Sequence, residues 1–314
     1  MKGKGGIFMS FSSEAKKELC RQIPADRGCL RAETCGLLLF GRQFSCQGIS
    51  LITENRAVSD IFCQLLSGQG VMVERISSLS RKKAGNQVYT VSVPDENDRR
   101  MLVESLGCTG KGGQAYIPGE GLLGPGEVEA FLRGAFLACG TVTDPKKDYH
   151  LEFVCPTQRL AQDMALLLNQ KSKLGLEPGM ISRKGDFVVY LKGSEQIADL
   201  LTYLGAQQAS MELIQVKMLK EVRNYVNRTT NFTTANIGKT ASAAAQQIRA
   251  IQKIERKMGL EGLPEDLREL AQLRLDNPEM SLRELGESLS EPISRSGVNH
   301  RLRRILEIAE DIGR

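Results

Sequence analysis

Apolar and polar positions along the chain follow a pattern that occurs twice. TCGLLLFG at 34–41 and LRGAFLACG at 132–140 are short, apolar, small-residue stretches that read as buried helix, and Gly36 stands 98 positions before Gly134. The alternating run YTVSV at 89–93 precedes FVVYL at 187–191 by the same offset. So do Leu102, Leu106 and Gly107 with respect to Leu200, Leu204 and Gly205. Three separate elements sharing one offset indicate a duplicated unit. The copies lie at about 13–107 and 126–205. Each reads as a small-residue helix, an extended stretch, a helix, a strand pair and a closing helix. In the second copy these fall near 126–140, 149–154, 157–172, 179–192 (turning at Lys184, Gly185 and Asp186) and 194–204. Alternation along 186–192 suits a strand buried mainly on one face. Antiparallel strands with helices on one side make an α+β unit. A glycine inside a helix costs about 1 kcal/mol relative to alanine. The helix bears that cost where a second backbone comes close, so Gly36 and Gly134 predict two helices packed side by side about a pseudo-two-fold axis.

After the repeat the period changes. Apolar residues at 213, 216, 219, 222 and 226 follow helical spacing, with Lys217, Lys220 and Arg223 between them. The stretch NRTTNFTTANIGK at 227–239 has no periodicity and predicts a loop or linker. Thr240 then suits an N-cap for a helix striped by Ile248, Ile251, Ile254 and Met258. Residues 263–275 form a further helix, stopped at Asn277 and Pro278. In SLRELGESL at 281–289, Ser281 and Glu284 are spaced as a capping box. SEPIS at 290–294 makes a short turn before a last helix at about 296–312. Two short helices joined by a brief turn are a helix-turn-helix pattern. On the last helix Val298, Leu302, Ile305 and Ala309 fall within roughly 60° of arc, with Leu306 beside them. Ser296, Asn299, His300, Arg303 and Arg304 occupy the other half, and acids return only at 307, 310 and 311.

Charge sharpens this division. The whole chain of 314 residues carries a net charge of only +5. From 215 to 257, however, nine Lys or Arg stand against two acids, and residues 294–306 hold four Arg and no acid. An open helix face of Arg, Asn, Ser and His suits the major groove of double-stranded DNA. The expected base-reading set is Arg295, Ser296, Asn299, His300, Arg303 and Arg304. Lys217, Lys220, Arg223, Arg228, Lys239 and Arg249 form the expected phosphate-contacting set. His300 suits a polar contact rather than a metal ligand. The eight cysteines lie in the first half without C-x-x-C spacing, and only two histidines accompany them, so no metal site and no cofactor are expected. A chain of this kind is expected to keep its thiols reduced. GCTGKGG at 107–113 lacks the spacing of a phosphate loop, and the Gly-rich stretch 107–126 reads as an inter-repeat linker. No apolar run is long enough to span a bilayer. Residues 1–8, without an apolar signal core, read as an N-terminal extension before Met9.

The motif L-x-G-x-x-x-A-x-G at 132–140 resembles the LAGLIDADG motif of homing endonucleases, and the duplicated layout resembles their pseudo-dimeric fold. That resemblance implies a metal-binding carboxylate at the penultimate motif position of each helix. Gly41 and Cys139 stand there instead, and Arg42 replaces the final glycine of the first copy. Glycine offers no ligand, and a thiol is too soft for Mg²⁺. The nearest acids, Glu33 and Asp144, lie several residues away and are expected to point elsewhere.

A degenerate unit of this type followed by a helix-turn-helix resembles the WhiA family of bacterial DNA-binding regulators. The strings that carry the likeness are MSFSSE at 9–14, FLRGAFLACG at 131–140 with DP at 144–145 and YHLE at 149–152, TANIGKT at 234–240, and SGVNHRL at 296–302. The resemblance implies a cytoplasmic, nucleoid-associated protein acting on transcription or the chromosome, with a part in cell division, chromosome segregation or sporulation. It also implies other transcription or cell-division regulators as partners. The expected architecture is an α+β LAGLIDADG-like domain at 9–226, a basic linker and helix at 227–257, and an all-α helix-turn-helix domain at 258–314. Two other functions stay open at this point. One is a metal-dependent site-specific endonuclease with a displaced site. The other is a regulator whose first domain senses a ligand or protein.

Overall fold

The computed structural model describes residues 10–24, 26–80, 86–110, 113–119, 124 and 126–312. The N-terminal extension, Met9 and parts of the Gly-rich inter-repeat stretch lie outside them. The chain divides into two compact units, Met1–Lys220 and Glu221–Arg314.

The first unit begins with α1 (Phe11–Leu19) and then runs twice through one order of elements. The first pass is α2 (Arg27–Leu39), β1 (Gln43–Ser45), β2 (Gly48–Thr53), α3 (Arg56–Ser67), β3 (Glu74–Leu79), β4 (Gln87–Ser92) and α4 (Glu96–Leu106). The second is α5 (Glu127–Cys139), β5 (Gly140–Val142), β6 (Leu151–Cys155), α6 (Gln158–Leu166), β7 (Gly179–Arg183), β8 (Asp186–Leu191) and α7 (Ser194–Leu204). Each pass builds a four-stranded antiparallel sheet, ordered β1-β2-β4-β3 and β5-β6-β8-β7. The expected helix at 157–172 changes to a π-type turn over Leu167–Lys171. Both passes close alike: α4 and α7 end at Gly107 and Gly205, whose φ angles of 65° and 101° are left-handed and cost glycine little.

The two motif helices α2 and α5 pack directly against each other. A Cβ placed on Gly36 would collide with the carbonyl oxygen of Phe131 and lie 2.9 Å from the amide of Ala135. A Cβ on Gly134 would collide with the carbonyl oxygen of Glu33 and lie 2.9 Å from the amide of Leu37. Each partner in one set stands 98 positions from its counterpart in the other, so the crossing point is a pseudo-two-fold contact of backbone on backbone. Around it Leu37, Leu38, Phe131, Ala135 and Phe136 are buried, and the strands add Ile49, Leu51, Val91, Leu151, Phe153 and Val189 to the same core.

The thiols depart from expectation. Cys35 of α2 and Cys108, just beyond α4, are joined as a disulfide, with their Cα atoms 7.6 Å apart. The folding of α4 against the first sheet brings these distant residues together in the core, which their sequence spacing does not reveal.

The larger departure is α8 (Gln207–Met258), a single helix of 52 residues. The predicted loop at 227–239 and the predicted N-cap at Thr240 are both helical. No proline interrupts this span. Its Asn and Thr residues cost only tenths of a kcal/mol each. Extending a formed helix is cheap compared with nucleating one, so the strong helical stretches on either side carry the weak one. In the first unit, Leu213 of the predicted stripe is buried, whereas Leu219 is exposed.

The second unit continues with α9 (Glu265–Asp276), α10 (Leu282–Glu287) and α11 (Arg295–Asp311). Ser281 and Glu284 form the capping box, and Ser294 caps α11 through the amide of Gly297. Ile251 and Ile254 of α8 join Leu267, Leu270, Leu285, Val298, Leu302, Ile305 and Ala309 in a separate core. Among the described residues no helix is long and apolar enough to cross a membrane.

Candidate nucleic-acid interface

The burial of Val298, Leu302, Ile305 and Ala309 fixes which side of α11 is open. Arg295, Ser296, His300, Arg303 and Arg304 are exposed there, and Asn299 is half-buried on one flank. Within the second unit these residues have different surroundings. The hydroxyls of Ser296 and Ser294 lie 3.0 Å apart. Arg304 donates to the carboxylate of Asp266 on α9 at 3.1 Å, and Arg301 donates to the backbone oxygen of the same residue, also at 3.1 Å. Among the described residues, the side chains of Arg295, Asn299, His300 and Arg303 have no hydrogen-bond or ion-pair partner. Side-chain donors on an exposed face, held by a packed helix, are arranged for an external acceptor.

The expected phosphate-contacting set divides between the units. Lys217 is ion-paired to Glu195 at 2.7 Å. Lys220 donates to the carbonyl oxygen of Pro145 at 2.7 Å and lies 4.7 Å from the ring centre of Tyr149. Both lysines are therefore engaged by the first unit. Arg223, Arg228, Lys239 and Arg249 are exposed on the part of α8 that belongs to the second unit. Between Glu221 and Glu255 that helix carries five cations and no acid.

The paired sheets are poor in free positive charge. Their eight strands contain two cations, Arg75 and Arg183, against Glu74, Glu152 and Asp186. Arg75 pairs with Asp60, and Arg183 with Glu152 at 3.1 Å. The ends of the motif helices are unsuited to a divalent metal. A side chain at Gly41 would meet the carbonyl oxygen of Ser50 at 2.8 Å, so there is no room for a carboxylate. Burial pushes the Cys139 thiol well above its ordinary pKa, which keeps it protonated and a poor ligand. Lys16 brings a positive charge to the same place: its Nζ donates to the carbonyl oxygen of Leu137 at 3.0 Å, near the end of α5, and lies 5.7 Å from the ring centre of Phe136. Burial lowers its pKa to about 8. Asp144 is occupied by the amide of Lys146, and Glu33 lies in the core. Among the described residues no cluster of His, Cys, Asp or Glu is placed to hold a metal.

Sequence reasoning did not find Arg133, Lys16 or Asp266. An arginine inside an apolar motif helix was the available signal for the first. Lys16 and Asp266 sit in ordinary amphipathic helices, where nothing in the spacing marks them.

Comparison with known proteins agrees with this architecture. The model of the WhiA LAGLIDADG-like domain matches residues 128–223, and that of the WhiA C-terminal HTH domain matches 226–309. A probable cell division protein WhiA from Clostridium perfringens is 41% identical over 97% of this chain and 98% of its own length. A protein of the same description from Clostridium beijerinckii is 38% identical over 97% and 99%. Full-length DUF199/WhiA from Thermatoga maritima superposes with a TM-score of 0.60 at 29% identity, covering 96% of this chain and 99% of that one. The isolated N-terminal LAGLIDADG domain of DUF199/WhiA shares the fold, with a TM-score of 0.50 at 18% identity over 65% of this chain and 97% of its own. The chain, a duplicated LAGLIDADG-like unit followed by a helix-turn-helix, belongs to the WhiA family.

Proposed function

We propose that this protein is a sequence-specific regulator that binds double-stranded DNA through α11 and does not cut it. The observation that carries the reading is the row of exposed Arg295, His300 and Arg303 with half-buried Asn299 on its flank, packed into position but without partners among the described residues. Arg303 suits the O6 and N7 atoms of guanine, and Asn299 suits adenine. Arg223, Arg228, Lys239 and Arg249 add sequence-independent attraction to phosphates. The curated relatives bear the name probable cell division protein, and we place this chain in the same process, acting on transcription or on the chromosome during division, segregation or sporulation. Other regulators of those processes are its expected protein partners, and the cytoplasmic nucleoid its expected location.

The test uses a duplex selected from a random pool by the full-length protein, with a scrambled duplex as competitor. Arg303→Ala should weaken binding to the selected site by about 1–3 kcal/mol, with much less effect on scrambled DNA. Equal binding of the site by variant and parent would show that α11 does not read bases through this residue.

Catalytic cleavage is expected to be absent. Metal-assisted phosphodiester hydrolysis needs hard oxygen ligands. The motif ends instead offer a glycine without room, a protonated thiol and a lysine. Incubation of the selected duplex with Mg²⁺ or Mn²⁺ should leave it intact. Reproducible cutting, abolished by chelation, is the result that overturns this reading.

A further inference from the structure

The arginines of α11 are in two states. Arg295 and Arg303 have no partner among the described residues. Arg301 and Arg304, three residues apart and so on one flank of the helix, both converge on Asp266. Its Oδ2 lies 3.1 Å from Nη1 of Arg304 and 4.0 Å from Nε of Arg301, and its backbone oxygen takes a hydrogen bond from Nη1 of Arg301. Glu265 stands beside Asp266 in the first turn of α9. A third acid of that helix, Glu269, is occupied by the amide and hydroxyl of Ser290 at 2.7 and 2.8 Å. The α9-facing flank of α11 is thus bounded by carboxylates, and its two cations are already neutralised.

We propose that Asp266 is a specificity-determining residue of the DNA interface. It withholds Arg304 from the cations that neutralise phosphates, whereas Arg301 is held by the backbone oxygen of the same residue. This rests on the DNA-binding reading above. Every cation that reaches a phosphate strengthens binding to right and wrong sequences together, and steepens the dependence on salt. Asp266 limits that shared contribution, so that more of the affinity comes from the base-reading face. Its own negative charge also disfavours a phosphate on this flank. The carboxylate acts through Arg304 and the local field rather than by touching DNA, which makes it a positioning residue.

The experiment measures binding of the full-length protein to the selected and scrambled duplexes across a series of salt concentrations. Asp266→Asn should tighten binding to the scrambled duplex several-fold and steepen the slope of log K against log salt by about one, the value for one additional phosphate contact. The ratio of selected to scrambled affinity should fall. Asp266→Asn/Arg304→Gln should return the slope to that of the parent, because the released cation is gone. Asp266→Glu should keep the pair and the parental slope. An ion pair this exposed contributes little to folding, and Asp266→Ser provides a second neutral variant if Asp266→Asn unfolds. A slope unchanged or shallower in both neutral variants overturns the assignment while leaving DNA binding by α11 intact. If the parent protein binds neither duplex, the DNA-binding reading fails, and this inference with it.

Discussion

Gly36→Val should prevent the first unit from assembling its pair of motif helices, and Gly134→Val should do the same. At each position the added side chain meets the carbonyl of the opposing helix, not a rotatable side chain. Relief requires α2 and α5 to separate. Separation opens the packing of Leu37, Phe131, Ala135 and Phe136, all of which are almost fully buried. Overpacking of an ordinary core costs about 1–3 kcal/mol because side chains give way. Here the backbone must move, so the cost should be on the order of 4 kcal/mol or more. Alanine should already be destabilising, since the collision begins at Cβ. Denaturant unfolding of the full chain, followed by circular dichroism, should show the first transition shifted strongly or lost. A variant with the parental midpoint would mean that the helices cross elsewhere.

The effect concerns a feature legible in the sequence. A 98-residue offset shared by glycine, strand and closing helix is a statement about duplication, and small residues on paired helices are a statement about backbone distance. The buried stripe of α11 and the Ser281 capping box were legible for a similar reason: both depend on local periodicity or spacing. What was not legible depends on neighbours distant in sequence. The Cys35–Cys108 pair joins residues 73 apart. Lys217 and Lys220 looked available for phosphate because their partners, Glu195 and Pro145, belong to other segments. Arg304 looked equivalent to Arg303 until Asp266 was placed beside it. The segment 227–239 was misread for a different reason. Residue propensity there is weak, and a local window does not register the cooperativity that carries a helix across it. The open face of a helix can therefore be read from sequence, but the partners already engaged by each of its charges cannot.

Arg133 shows the same limit in the core, and its removal should be the costliest single loss of charge in the first unit. Glu33 is fully buried at the α2–α5 crossing. Arg133 donates to its Oε2 through Nε at 3.0 Å, with Nη2 also 3.0 Å from that oxygen as an ion pair, and donates to Glu129 and the carbonyl of Leu204 through Nη1. The other Glu33 oxygen, Oε1, is buried without a hydrogen bond. Burial pushes the Glu33 pKa up to about 7 from 4.5, against the opposing pull of Arg133. Between those two pH values the folded protein holds a proton that the unfolded chain has released. The contribution of Glu33 to stability is therefore greatest below the unfolded pKa and declines as pH rises through this window. Arg133→Met removes the pull, so the folded pKa should climb further and the loss should extend above neutrality. At about pH 7.5 the variant should be destabilised by roughly 2–3 kcal/mol, about 1 kcal/mol more than at pH 5, because the folded parent already holds the Glu33 proton through much of this range and linkage limits what a further rise in pKa can add. At about pH 5, where folded Glu33 carries its proton in either protein, the cost should fall to that of lost packing and hydrogen bonds, roughly 1–2 kcal/mol. Glu33→Gln/Arg133→Met should recover much of the deficit at the higher pH, because no charge is left unpaired. Denaturant titrations of the three proteins at both pH values decide the matter. An Arg133→Met penalty that is equal at the two would place the Glu33 proton outside this balance and leave the arginine a purely steric role.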